Sequence, residues 1–183
     1  MREREKQLLK LNLSFQVDTD GTCMESTVDA IQKGAKQHVI LVAGNKKAIK
    51  DALLGANLLK LDFAMSNILV VPYNVDNKEK NVKRASTGFG EDTRPTWETA
   101  PYVASTAGEG WDSYIESELS DAIKQDSKGD VSKLKEEGIV IVLANDGKVI
   151  RRGVGKVPWR QMVNELDDSV KPVEKVQKDD VFL

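Results

Sequence analysis

Apolar residues gather into two unbroken runs, residues 38–43 (HVILVA) and 68–75 (ILVVPYNV). Continuous apolar, β-branched runs of this length mark strands covered on both faces. Pro72 removes one backbone donor from the second run, which predicts an interruption or a sheet edge there. Between the runs, Ile49, Leu53, Ala56 and Leu59 recur at helical spacing over 46–61, with Lys46, Lys47, Lys50 and Asp51 on the solvent side. A third run, 139–144 (IVIVLA), leads into Asn145-Asp146-Gly147 and a returning strand over 148–154. Asp-Gly between β-rich runs predicts a hairpin, because glycine supplies the positive φ of the turn. Thr22 to Glu25 fits a capping box, predicting a helix that begins there and buries Met24, Val28, Ile31 and Ala35. Further helices are predicted over 111–125, over 131–137 and from Pro158 onward, the last with Trp159, Met162, Val163 and Leu166 on one face. Residues 2–13 read as a helix running into an extended piece.

A buried strand, a helix and a second buried strand imply a parallel pair joined by a right-handed crossover. With the later hairpin and closing helix, the order predicts an α/β, thioredoxin-like three-layer fold with a mixed sheet. Residues 76–110 interrupt it as a long polar insertion between the second strand and the next helix; Trp97, Pro101 and Tyr102 predict that its second half is ordered. The expected organisation is a charged lead-in over 1–17, the domain over 18–167 and a mobile polar tail over 168–183.

Charge changes this picture by exclusion. The 183 residues carry 27 Lys and Arg against 29 Asp and Glu, a net charge of -2, which argues against a general nucleic-acid binder. No apolar run reaches the length of a membrane span, and the charged start MREREKQ has no apolar segment after it, so neither a span nor a secretory leader is expected in the chain. One cysteine, Cys23, and one histidine, His38, leave no internal disulfide and too few ligands for a structural zinc site.

In a thioredoxin-like layout a redox pair would follow the first buried strand. Here that stretch is Gly44-Asn45-Lys46-Lys47-Ala48, without cysteine, and Gly138-Ile139-Val140 has no proline where the layout places one. Dithiol exchange needs an attacking thiolate, so this site is expected to be redox-dead and the chain a non-enzyme without a cofactor or metal. The alternative is a thiol-dependent enzyme, one-cysteine peroxidase-like, using Cys23, which the predicted capping box would set in the first turn of a helix. Gly153 and Gly155 lack the rest of a phosphate-binding loop, and Glu91, Asp92, Glu98 and Glu109 have no spacing that specifies a metal. Arg151, Arg152, Lys156 and Arg160 form a local basic group around Trp159; together with Trp97 and Trp111 they are the expected partner-binding face.

The stretch from Gly138 to Trp159 (GIVIVLANDGKVIRRGVGKVPW) and the segment HVILVAGNKKAIKDAL…ILVVPYNV resemble the Low PSII Accumulation-type family of cyanobacteria and chloroplasts. Asp146-Gly147, Val149, Gly153, Gly155 and Pro158-Trp159 match its closing pattern, while Val157 stands where the family has a first proline. The resemblance implies a soluble domain behind a pair of membrane helices, on the stromal side of the chloroplast thylakoid membrane. It implies a non-catalytic protein-binding module in photosystem assembly, of photosystem II foremost and photosystem I as a second target. Photosystem subunits or other assembly factors would be the partners, nucleic acid would not, and membrane contact would run only through helices absent from this chain.

Overall fold

The computed structural model describes residues 2–18, 20–81, 94–126 and 128–170. In chain order the elements are α1 (Glu3–Lys10), β1 (Asn12–Gln16), β2 (Cys23–Thr27), α2 (Val28–Ala35), β3 (His38–Gly44), α3 (Lys46–Asn57), α4 (Lys60–Met65) and β4 (Ile68–Asn74). After a 3-10 turn at Lys78–Asn81 come β5 (Ser105–Ala107), α5 (Trp111–Gln125), α6 (Val131–Glu137), β6 (Ile139–Leu143), β7 (Val149–Val154) and α7 (Trp159–Val170).

The apolar runs become β3, β4 and β6, and these with β7 form one mixed sheet in the order β4-β3-β6-β7. β3 pairs in parallel with β4, from His38 opposite Ile68 to Gly44 opposite Asn74, and antiparallel with β6. The hairpin at Gly147 returns β7 antiparallel to β6. Pro72 is tolerated because β4 is the edge strand of this sheet.

Alternation along the strands divides the interior into two cores. Val39, Leu41 and Ala43 face α1, α2, α5 and α6 through Leu8, Val28, Ile31, Tyr114, Ile115 and Leu134. Ile40 and Val42 face α3, α4 and α7 through Leu53, Ala56, Phe63, Met162 and Leu166. This is the expected three-layer α/β, thioredoxin-like architecture.

Three expectations need correction, and one sheet is new. Residues 22–25 do not open a helix. β2 occupies Cys23–Thr27, and α2 is capped by Thr27, whose hydroxyl accepts from the Ala30 amide. Pairing along β1, from Asn12 opposite Thr27 to Gln16 opposite Cys23, outweighs the local cap pattern. A second sheet, β2-β1-β5, was not foreseen; β5 brings the second half of the insertion back against β1. Residues 1–17 are no mere lead-in, since Leu8, Leu11 and Leu13 are buried in the first core. The last helix runs to Val170, so residues 168–170 do not belong to a tail; residues 171–183 lie outside the described residues, as do Glu91 and Asp92.

His38 pins the foot of β3 to the hairpin. The residue is only 3% exposed, and Nδ1 accepts the Asn145 amide at 3.0 Å, which requires the neutral imidazole on that nitrogen. Burial lowers its pKa below the ordinary 6.5, against the opposing pull of Asp167 and Asp146. The unfolded chain therefore takes up this proton before the folded one does. The stabilisation is complete above 6.5 and declines as pH falls through and below it. Denaturant unfolding across that range should show this slope in the parent chain and a shallower one in His38→Gln.

Candidate functional site

The corner where β3 meets α3 is where the layout would present a reactive side chain. Asn45 caps α3 by accepting the Ala48 amide at 2.9 Å, and its own amide donates to the Lys135 carbonyl at 2.8 Å. Gly44 accepts the Val75 amide at 3.0 Å. A Cβ on Gly44 would lie 2.8 Å from Ala48 Cβ and 3.1 Å from Gly138 Cα. Gly138 has φ of 80°, and a Cβ there would stand 3.2 Å from the Ala43 carbonyl oxygen. Three small residues thus close the corner with backbone and methyl groups. No cis peptide occurs among the described residues, and Gly138 occupies the place expected of a proline.

Cys23 lies elsewhere. It is exposed, outside any disulfide, and begins β2 at the edge of the second sheet. Its Sγ donates to the Gly21 carbonyl at 3.5 Å, beside a turn in which Asp20 accepts both the amide and the hydroxyl of Thr22. The helix-dipole activation expected at a helix start does not operate, because Cys23 stands five residues before α2 on a paired strand.

The expected partner face is not one surface. Trp111 is buried in the first core and its indole donates to the Asn12 carbonyl at 2.8 Å. Trp159 is buried in the second, donating to Ala52 at 2.9 Å and meeting Phe63 edge-on at 5.4 Å. Trp97 packs partly buried against that second core. The central sheet separates Trp111 from the other two.

The basic group is divided in the same way. Arg151 is bonded to Glu165 on α7, whereas Arg152 points to the opposite face of the sheet, toward Glu118 on α5. Arg160 lies 3.4 Å from Asp62, and Lys156 is exposed. Arg151 and Arg152 each keep 32% of the side chain exposed beside their carboxylates, and Arg160 is the more open at 67%.

Sequence reasoning missed the role of Glu118. Its side chain is 4% exposed, with oxygens 3.3 and 3.5 Å from the Arg152 guanidinium and 3.6 Å from Arg4, which also bonds Asp121. Burial and the neighbouring Glu118 charge push the Tyr114 hydroxyl well above the usual phenol range. The signal was present: Glu118 falls at helical spacing from Trp111, Tyr114 and Ile115, on the apolar side of α5. Among the described residues, no group of three His, Cys, Asp or Glu could hold a metal, and no helix is long and apolar enough to cross a membrane.

No protein-family profile and no curated protein matches the chain. Solved structures do. A cysteine-to-serine variant of PrxQ from Xylella fastidiosa superimposes with a TM-score of 0.54 at 17% identity, over 93% of this chain and 94% of that one. The bacterioferritin comigratory protein of Xanthomonas campestris, described with alkyl peroxide reduction activity, gives 0.50 at 14% identity over 91% and 96%. At such identities the likeness establishes the thioredoxin-like fold, and the activity belongs to those proteins. It counts against the expectation of a non-enzyme and of a non-catalytic photosystem-assembly module, since these two matches are a PrxQ and a protein described with alkyl peroxide reduction activity.

The ion cluster yields a direct check. Arg152→Ala leaves the Glu118 carboxylate buried with Arg4 as the remaining cation beside it and should cost about 2–3 kcal/mol. Arg160→Ala, at an exposed pair, should leave stability unchanged within about 0.5 kcal/mol. Equilibrium urea unfolding of both variants measures the contrast.

Proposed function

We propose that this chain is a thiol-dependent, peroxide-reducing enzyme of one-cysteine type that acts through Cys23. The observation that carries the reading is the conjunction of a peroxiredoxin-like fold over nearly the whole chain with a single, solvent-exposed thiol outside any disulfide. The closed corner at Gly44, Ala48 and Gly138 leaves Cys23 as the nucleophile.

The chemistry follows from the thiol. The Cys23 thiolate attacks one peroxide oxygen; an S–O bond forms, the O–O bond breaks, and the departing oxygen leaves as water or an alcohol after taking a proton. Sulfur is oxidised to a sulfenic acid while the peroxide is reduced by two electrons. The chain has one cysteine, so a small external thiol must resolve the sulfenic acid, releasing water as a mixed disulfide forms. A second external thiol then frees Cys23 and departs as the disulfide. Exposure on an edge strand gives both peroxide and reductant access.

Membership of the Low PSII Accumulation-type family, and a setting at the stromal side of the thylakoid membrane, belong to this proposal. The resemblance of residues 38–75 and 138–159 supports them.

Peroxide consumption by the full chain with excess small-molecule thiol tests the activity. Consumption should exceed that of the thiol alone and fall to that background in Cys23→Ser. Equal rates for parent and variant would refute the assignment to Cys23.

A further inference from the structure

The helical crossover between β3 and β4 carries more leucine than its buried face can use. Ala52, Leu53, Ala56, Leu59 and Phe63 fill the second core. Leu54, Leu58, Leu61 and Met65 turn the other way and are 41%, 83%, 72% and 85% exposed. Leu54 and Leu58 lie four residues apart at the end of α3, and Leu61 and Met65 four apart on α4, each pair at helical spacing. Scattered exposed apolar residues are ordinary, but three leucines and a methionine this exposed within twelve residues are not.

Lys46, Lys47, Lys50 and Lys60 border this ridge. All four are exposed, and none makes an ion pair among the described residues. Most other surface lysines with a place in the structure, such as Lys6, Lys33, Lys78 and Lys133, do have a carboxylate partner. Asp51 is the one carboxylate on the exposed side of α3, and Asp62 on α4 pairs with Arg160, so the crossover carries an excess of positive charge beside protruding apolar side chains, on a chain of net charge -2.

We infer that the α3–α4 elbow docks on an anionic lipid bilayer surface, with Leu58, Leu61 and Met65 entering the headgroup boundary and the four lysines meeting lipid phosphates. Three features of the ridge favour this occupant. The lysines call for a negatively charged partner. A second copy placed on the ridge by two-fold symmetry would bring the same lysines against one another. The apolar side chains stand out into solvent: Leu58, Leu61 and Met65 are 83%, 72% and 85% exposed. Apolar tips standing out from a helix with a basic border suit a deformable lipid interface.

Vesicle flotation of the full chain tests the inference. Phosphatidylcholine vesicles containing phosphatidylglycerol should carry the protein upward, and vesicles of phosphatidylcholine alone should carry far less. Each lysine engaged near the surface contributes about five-fold to partition, so Lys47→Glu with Lys50→Glu should lower it more than about ten-fold. Leu58→Ser, Leu61→Ser and Met65→Ser together should remove it while leaving the thermal midpoint in place, since all three side chains are exposed. Equal partition onto neutral and anionic vesicles would overturn the proposal. So would anionic binding that survives the triple substitution, or a dimer that the triple substitution dissolves without any vesicle binding by the parent.

Discussion

Seven consecutive residues of β3, His38 to Gly44, are shut away from water on both faces, and every backbone polar group they carry must find a partner inside the protein. Two ladders meet that demand, a parallel one to β4 and an antiparallel one to β6. The parallel ladder needs a crossover, which α3 and α4 supply; the antiparallel ladder brings the hairpin and α7 onto the same side. The alternating side chains of β3 then define the two cores, so both layers of helices take their positions from this strand.

The same constraint determines what the sheet end can do. β3 ends at Gly44, where the Ala48 methyl and the Gly138 backbone crowd in too closely for any larger side chain. A fold shared with peroxiredoxins is therefore built around a corner without a nucleophile. The thiol instead stands on β2, in a small sheet that packs through β1 and α1 against the first core. Charge is organised by face as well. Glu118 draws Arg152 and Arg4 inward on one side of the sheet, Glu165 holds Arg151 on the other, and four lysines without an ion pair among the described residues lie on the crossover.

Legibility in the sequence followed the range of the interactions. β3, β4, β6 and the Asp-Gly turn were readable because each is a contiguous apolar run or a local turn signal. The sheet β2-β1-β5 was not, because its strands (NLSFQ, CMEST and STA) are short and largely polar, and β5 joins β1 across roughly ninety residues of chain. The pattern at Thr22–Glu25 satisfies a capping box locally, yet strand pairing prevails and the cap falls at Thr27. At the candidate site, Cys23 could be singled out by being alone, but not placed, since its surroundings come from that unforeseen sheet. Glu118 and the leucine ridge were within reach of helical spacing; the first is a carboxylate on an apolar face, the second an excess of apolar residues over what one face holds.

The central claim is that Cys23 carries peroxide chemistry, and trapping its oxidised form tests it most directly. The reduced full chain is treated with one equivalent of peroxide in the presence of dimedone, and intact mass and peptide mapping follow. The account predicts one adduct, on the peptide that contains Cys23. A chain that keeps an unmodified thiol while the peroxide remains unconsumed would contradict it.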